Sequence, residues 1–158
     1  SAKLGSKAII GAGSVLDAET ARACIMAGAD FVVSPVFDAG LVEICHRYSK
    51  IVIPGAFTPT EILRAWEAGA DVVKVFPATV VGPRYFKDIL GPLPQVKLTP
   101  TGGIGLNNLG EFIKAGAVFV GAGSSLVDKT MVAQGRWNEL ADRAAQFVAA
   151  VKEARAAL

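Results

Sequence analysis

One seven-residue pattern occurs three times along the chain and limits the folds that the sequence can adopt. It is AGADFVV at 27–33, AGADVVK at 68–74 and AGAVFVG at 115–121, so successive copies begin 41 and then 47 residues apart. In each copy a glycine of the kind that ends helices is followed at once by a run of strand-forming residues. Every copy therefore predicts a helix that leads into a buried strand.

The whole chain alternates short runs rich in Val, Ile and Phe with longer amphipathic stretches. The apolar runs predict strands at 8–15, 31–36, 51–56, 72–77, 97–101 and 118–121. The amphipathic stretches predict helices at 18–27, 40–49, 59–68, 83–90, 107–115 and 136–157. Six βα units in a row predict a parallel sheet, either in a barrel or in a doubly wound arrangement.

The spacing of the repeat favours the barrel. Each interval covers two βα units, so every second strand is entered in the same way, and alternate strands fill the interior of a (β/α)8 barrel in layers. A doubly wound sheet gives no reason for that alternation. We therefore predict an α/β fold of the TIM (β/α)8-barrel class, with residues 1–158 as a single domain that holds the last six βα units. The two N-terminal units of such a barrel would come before residues 1–7, which resemble the end of a helix.

Composition and charge exclude several classes of partner. The chain has 158 residues, a net charge of +2 and no cluster of Lys and Arg that is typical of a nucleic-acid surface. No apolar run approaches the ~18 residues of a membrane helix. Cys24 and Cys45 form no CxxC motif, and we expect both to be free, buried thiols. These features predict a cytoplasmic enzyme that binds neither nucleic acid nor a membrane.

Lys74 is the residue most indicative of chemistry, because it lies in the middle of the apolar run VVKVFP at 72–77. Side chains alternate along a strand, so Lys74 should share a face with Val72 and Phe76. Desolvation lowers the pKa of an amine and makes it a nucleophile that can form a Schiff base with a ketone. The alternative is a lysine that reaches the mouth of the barrel and pairs with a carboxylate. We predict that Lys74 is a covalent nucleophile.

Glycine loops follow the next two predicted strands, as PTGG at 100–103 and GAGSS at 121–125. In barrels, the loops after strands seven and eight often bind phosphate through backbone N–H groups. Each loop alone could be an ordinary tight turn, but two consecutive loops favour a phosphate site. A third loop, GAGS at 11–14, either brings the Ser14 hydroxyl to the same rim or is a close-packed strand end.

Metal-dependent chemistry is disfavoured by the same sequence. His46 is the single histidine and lies in a predicted surface helix, where a solvated side chain is the simpler interpretation. A divalent-metal site normally uses several His or carboxylate ligands. Glu61, in TPTE at 58–61, is interpreted as a first-turn helix carboxylate and not as a catalytic base. We predict no metal and no cofactor.

Five motifs together resemble one family. GAGSVL (11–16), VSP (33–35), PG with TPTE (54–55 and 58–61), KVFPA (74–78) and PTGG (100–103) occur in the order and at spacings similar to those of the class I 2-keto-3-deoxy-6-phosphogluconate (KDPG) and 4-hydroxy-2-oxoglutarate (KHG) aldolases. The resemblance covers residues 8 to 129. It implies a lyase that cleaves the sugar-acid phosphate reversibly to pyruvate and glyceraldehyde 3-phosphate, or 4-hydroxy-2-oxoglutarate to pyruvate and glyoxylate.

The resemblance also implies roles for individual residues. Lys74 would form the Schiff base. The pyruvyl group and its carboxylate would be bound by Ser14, Pro35, Phe76 and Thr101. The phosphate would be bound by Gly102, Gly103, Gly123 and Ser124. Relatives that act on the galactonate analogue tend to have valine at the position of Thr101, so this threonine favours the gluconate or hydroxyglutarate substrate.

Further implications concern assembly and completeness. The family resemblance implies a homotrimer in the Entner–Doudoroff pathway. Family members have threonine in place of Ser14 and commonly glutamate in place of Thr79. The resemblance assigns the general-base glutamate and a substrate-binding arginine to the two N-terminal βα units, which residues 1–158 lack. Two other hypotheses stay open at this stage: a truncated barrel that acts as an inactive binding or assembly module, and another phosphate-binding barrel enzyme such as an epimerase or a thiamin-phosphate-synthase-like protein.

Overall fold

The computed structural model describes residues 8–158, which form two compact units. The first unit ends at Val75 and the second begins at Phe76. The first unit contains short parallel strands that alternate with helices, as the order of apolar and amphipathic segments predicts, whereas the second contains one short strand and isolated parallel bridges among its helices. No helix within residues 8–158 is long and apolar enough to cross a membrane.

The first unit is built around two pairs of parallel strands. Its elements are α1 (Ala18–Met26), β1 (Phe31–Val33), α2 (Ala39–Arg47), β2 (Ile51–Ile53), β3 (Gly55–Ala56), α3 (Pro59–Glu67) and β4 (Val73–Val75). Strand β1 pairs with β2, and β3 pairs with β4. The core consists of buried apolar side chains from α1, α2, the first two strands and the segment before α1: Val15, Ala21, Ile25, Val32, Leu41, Val42, Cys45 and Val52.

The second unit is mostly helical. Its elements are α4 (Ala78–Leu90), β5 (Leu98–Pro100), α5 (Leu109–Lys114), α6 (Lys129–Ala133) and α7 (Trp137–Ala156). Helix α5 packs against both α4 and α7. The buried rings of Phe86 and Phe112 pack edge to face, with a centroid separation of 5.3 Å and an interplanar angle of 79°. This T-shaped arrangement is a preferred geometry for aromatic pairs. The core of this unit therefore lies between its helices.

The three repeats adopt one backbone geometry. The angle φ is 100° at Gly28, 98° at Gly69 and 103° at Gly116, in the left-handed region that favours glycine. In each copy the alanine that follows the glycine donates its N–H to a carbonyl five positions earlier, in the pairs Ala29–Cys24, Ala70–Ala65 and Ala117–Phe112. This hydrogen bond is typical of a glycine-terminated helix. The predicted helix ends are confirmed at all three copies.

The same glycines yield a stability prediction. A Cβ added at Gly28 would have no atom within 4 Å, whereas a Cβ at Gly116 would overlap the Leu90 side chain. Replacing Gly28 by alanine should therefore cost only the left-handed backbone strain, roughly 1–2 kcal/mol of unfolding free energy. Replacing Gly116 by alanine should cost about 1 kcal/mol more, because Leu90 must also move. Urea unfolding of the two variants measures both terms, and equal losses would show that the Leu90 overlap has no energetic effect.

Two predicted strands do not form as regular strands. In segment 8–15 the backbone pairs with β1 at a single bridge, between Ala12 and Val32. Segment 118–121 is likewise reduced to a bridge between Gly121 and Thr101, with a second bridge between Leu98 and Ala117, the residue directly before the segment. Both segments contain or adjoin several glycines, which weaken strands because they add no side-chain packing. The segments keep the predicted parallel neighbours but not a continuous ladder.

Other boundaries also differ from the predictions. The predicted strand 51–56 is divided at Pro54, and the strand predicted at 72–77 extends only over Val73–Val75, so Phe76 lies outside it. Helix α4 begins at Ala78 and not at residue 83, and it is interrupted at Gly82, where φ is 70°. The short helix α6 was not predicted; it is capped by Asp128, whose carboxylate accepts the N–H groups of residues 130 and 131.

Candidate active site

Lys74 is the central residue of β4 and is buried. Only 8% of its surface is exposed, and Val73 and Val75 on either side are fully buried. Its backbone N–H donates to the carbonyl of Pro54 at 2.8 Å, which fixes the strand at this position. Burial lowers the pKa of the Lys74 amine below its ordinary value of 10.5, because desolvation disfavours the ammonium form. The neutral amine that attack on a ketone requires is thereby favoured.

Gly55 brings a second predicted residue to the same place. Gly55 is the register partner of Lys74 in the β3–β4 pair. A Cβ at Gly55 would overlap the backbone of Pro35, so a side chain there is not tolerated. The N–H of Gly55 also donates to the carbonyl of Val36 at 3.1 Å. Pro35 and Lys74, both predicted from the sequence, are thus both neighbours of Gly55.

Ser14 lies on the turn that follows the Ala12 bridge. Its φ is 60°, an uncommon value for a residue other than glycine, and its side chain is exposed. The next residue, Val15, donates its N–H to the carbonyl of Val33 at 3.2 Å and keeps this segment beside β1. Within residues 8–158 the Ser14 hydroxyl makes no hydrogen bond, so the structure does not link Ser14 to Lys74.

The second unit brings together the predicted residues Phe76, Thr101, Gly102 and Gly103. A Cβ at Gly102 would lie 3.6 Å from a carbon of the Phe76 ring, which is 37% exposed. The carbonyl of Thr101 accepts the N–H of Ala78 at 2.9 Å, which holds the start of α4 against the glycine loop. Gly102 and Gly103 have φ values of 97° and 68°, which explains why two glycines are needed in succession.

The second predicted loop lies next to the first, because Thr101 and Gly121 form a bridge. In this loop the carbonyl of Gly123 accepts the N–H groups of residues 126 and 127, both at 2.9 Å, which closes one turn. The N–H groups of Gly103, Gly123 and Ser124 donate to no acceptor within residues 8–158. Adjacent backbone N–H groups of this kind are suited to binding an anion such as phosphate.

Side chains that the sequence analysis did not single out hold the two loops. The Asn108 side chain donates to the carbonyl of Gly103 and accepts the N–H of Gly105, both at 2.9 Å. The Ser125 hydroxyl donates to the carbonyl of Ile104. Asn108 directly precedes α5, a position where asparagine normally caps the helix, and that pattern gave no indication of its role in the loop.

Four other residues with reactive side chains, Glu61, His46, Cys45 and Cys24, were assigned no catalytic role from the sequence. Glu61 accepts the N–H groups of Phe57 and Thr58 in a capping box at the start of α3, and these hydrogen bonds lower the pKa of its carboxyl. This confirms its interpretation as a first-turn carboxylate. His46 is exposed on α2, as predicted. Burial raises the pKa of the Cys45 thiol to about 11, whereas Cys24 is only half-buried, contrary to prediction; both are free.

No group of three or more His, Cys, Asp or Glu side chains that could hold a metal ion occurs in the part of the chain that the structure describes.

Comparison with known proteins places the chain in a family. A profile of the KDPG and KHG aldolases matches residues 2–142. The chain is 41% identical over 133 residues to the 2-dehydro-3-deoxy-phosphogluconate aldolase of Treponema pallidum, which covers 84% of this chain and 63% of that protein. The chain thus spans less than two thirds of the length of this relative.

Solved structures agree with the sequence comparison. The native KDPGal structure superposes with a TM-score of 0.87 at 35% identity, covering 97% of this chain and 73% of the other. The KDPG aldolase of Legionella pneumophila, with pyruvate captured as a covalent carbinolamine, gives a TM-score of 0.81 at 30% identity, covering 89% and 68%. These likenesses define an α/β, TIM-barrel-like fold. The chain belongs to the KDPG and KHG aldolase family.

Proposed function

We propose that this protein is a class I aldolase. It cleaves 2-keto-3-deoxy-6-phosphogluconate reversibly to pyruvate and glyceraldehyde 3-phosphate, or 4-hydroxy-2-oxoglutarate to pyruvate and glyoxylate. The observation that carries the proposal is the burial of Lys74 in β4, with the pKa of its amine lowered by desolvation. The covalent carbinolamine of the Legionella relative supports the same chemistry.

In the proposed reaction the Lys74 amine attacks the C2 ketone of the substrate and forms a carbinolamine. Loss of water gives an iminium ion. The C4 hydroxyl gives up its proton, the C3–C4 bond breaks, and its electron pair passes into the iminium to form an enamine, so that no bare carbanion arises. The aldehyde leaves. Protonation of the enamine at C3 and hydrolysis of the new iminium then release pyruvate and regenerate Lys74.

The remaining assignments of the site belong to the same proposal. Ser14, Pro35, Phe76 and Thr101 bind the pyruvyl group and its carboxylate. The N–H groups of the two glycine loops, through Gly102, Gly103, Gly123 and Ser124, bind the phosphate. Support comes from the geometry of the second unit, where Phe76, Thr101 and both loops are neighbours.

The six-unit barrel is proposed as well. Residues 1–158 form one barrel domain with the last six βα units, and the general-base glutamate of the family belongs to the two units that precede them in the barrel. A proton-transfer group typically contributes ~10²–10⁴-fold to the rate. The homotrimer, the Entner–Doudoroff pathway, the cytoplasmic location and the preference for gluconate over galactonate substrate stay predictions. The comparisons do not favour the alternative of an inactive binding module.

One cleavage assay tests both the aldolase activity and the metal-independent class I mechanism. Incubation with 2-keto-3-deoxy-6-phosphogluconate should release pyruvate, and an excess of EDTA should leave the rate unchanged, because the iminium and not a metal accepts the electron pair. The measurement is steady-state pyruvate release with and without the chelator. A rate that is lost in EDTA and recovered with a divalent metal would contradict the class I mechanism, and an absence of pyruvate release would contradict the aldolase activity.

A further inference from the structure

Asn108 makes an unusual use of its position. It is the residue directly before α5, but its side chain makes no capping hydrogen bond to that helix. It turns back instead and spans the glycine loop, with Nδ2 on the carbonyl of Gly103 and Oδ1 on the N–H of Gly105. The helix forgoes the stabilisation that an asparagine cap ordinarily provides. The side chain therefore serves the loop at the expense of the helix.

Ser125 joins the second loop to the first. Its hydroxyl donates to the carbonyl of Ile104, the residue between the two that Asn108 contacts. Its own carbonyl accepts a hydrogen bond from the Arg143 guanidinium of α7 at 3.3 Å. The loop at 121–125 is thus attached on one side to the loop at 102–105 and on the other side to a long helix.

These contacts occupy carbonyl oxygens of the two loops but leave several backbone N–H groups without an acceptor within residues 8–158. The carbonyl oxygens of Gly103 and Ile104 are occupied by Asn108 and Ser125, and the carbonyl of Gly123 is occupied within its own turn. The N–H groups of Gly103, Gly123 and Ser124 have no acceptor within residues 8–158. An anion is attracted by N–H groups and repelled by carbonyl oxygens. Because other groups hydrogen-bond to the loop carbonyls, the N–H groups stay available to bind an anion.

We propose that Asn108 and Ser125 are positioning residues that hold the two glycine loops in the arrangement that binds the substrate phosphate. This inference rests on the proposed function, since it concerns the phosphate site of the same reaction. Neither side chain needs to touch the phosphate. Their effect is to keep the loop carbonyls away from it and to reduce the conformational freedom that binding would otherwise remove.

The test uses inorganic phosphate as the probe, with binding measured by calorimetry on the variants Asn108→Ala and Ser125→Ala. Each variant should bind phosphate about tenfold more weakly, as expected when one or two loop hydrogen bonds are lost. The matched control is Asn107→Ala, because Asn107 is adjacent and exposed and its side chain makes no hydrogen bond within residues 8–158. It should bind phosphate as the unchanged protein does. Ser125→Thr keeps the hydroxyl and should restore most of the affinity, and this pair decides the question if Asn108→Ala does not fold.

Kinetics provide a second readout that a general loss of structure would not give. Both alanine variants should raise KM for the phosphorylated substrate and leave kcat, and KM for the unphosphorylated 4-hydroxy-2-oxoglutarate, unchanged. Phosphate affinity equal to that of the unchanged protein in both alanine variants would overturn the proposal, as would a failure of the unchanged protein to bind phosphate. Trapping of pyruvate on Lys74 does not require the N–H groups that we propose for the phosphate. If pyruvate is trapped on Lys74 but both alanine variants bind phosphate normally, the proposal for Asn108 and Ser125 is wrong and the aldolase proposal stands. If the variants bind phosphate more weakly but no pyruvate adduct forms, the positioning proposal is supported and the aldolase proposal is refuted.

Discussion

Replacing Lys74 by alanine is expected to abolish the covalent adduct that pyruvate forms with this protein under borohydride reduction. The adduct is a reduced imine, and it requires an amine that is neutral and reaches the ketone. Lys74 is the buried lysine of a strand, and desolvation lowers the pKa of its amine, so its neutral form is more populated than that of a solvent-exposed lysine. Intact-protein mass spectrometry after reduction should show no mass increase in the variant.

The variant Lys97→Ala is the matched control. Lys97 precedes β5 and is exposed, so its removal should leave the adduct unchanged. The comparison requires that Lys74→Ala is folded. Far-UV circular dichroism and a thermal melt check this point. An adduct of undiminished yield on folded Lys74→Ala would refute the role of Lys74 as nucleophile.

Replacing Ser124 by glutamate is expected to raise KM for 2-keto-3-deoxy-6-phosphogluconate by on the order of 100-fold. Ser124 is exposed beside the N–H groups proposed to bind the phosphate, so the new carboxylate would face a dianion. Two unit charges 4 Å apart repel by about 4 kcal/mol at an effective dielectric constant near 20, and solvent exposure reduces this value. Steady-state kinetics on the phosphorylated substrate measure the effect.

The neutral variant Ser124→Gln separates charge from size. It should raise KM for the phosphorylated substrate much less than glutamate does, since it adds almost the same volume without the charge. Neither variant should change KM for 4-hydroxy-2-oxoglutarate, which has no phosphate. If Ser124→Glu leaves KM for the phosphorylated substrate unchanged, the assignment of this loop to the phosphate is wrong.

Features that depend on a few neighbouring residues were predicted well from the sequence. The three repeated glycines end helices with nearly the same φ. A glycine between a helix and an apolar run favours this helix end through its immediate neighbours alone. The interpretation of Glu61 as a first-turn helix carboxylate is confirmed for the same reason. The buried position of Lys74 also follows locally, from the apolar residues on both sides of it.

Features that depend on distant partners were predicted poorly. Segments 8–15 and 118–121 have apolar strand-like composition, but their glycines leave only isolated bridges to the neighbouring strands. The hydrogen bond between Ser125 and Ile104 joins two loops that are separated in sequence by a helix, so no local sequence pattern predicts it. Asn108 illustrates the same limit, because it falls inside the helix predicted at 107–115, whereas it lies before α5 and its side chain binds a loop.

The most direct measurement of the central claim is the site of the pyruvate adduct in the unchanged protein. After reduction with borohydride in the presence of pyruvate, the protein is digested and the modified peptide is sequenced by tandem mass spectrometry. We expect a single modified lysine, Lys74. Modification of another lysine, or no modification under conditions where a known class I aldolase is labelled, would contradict it.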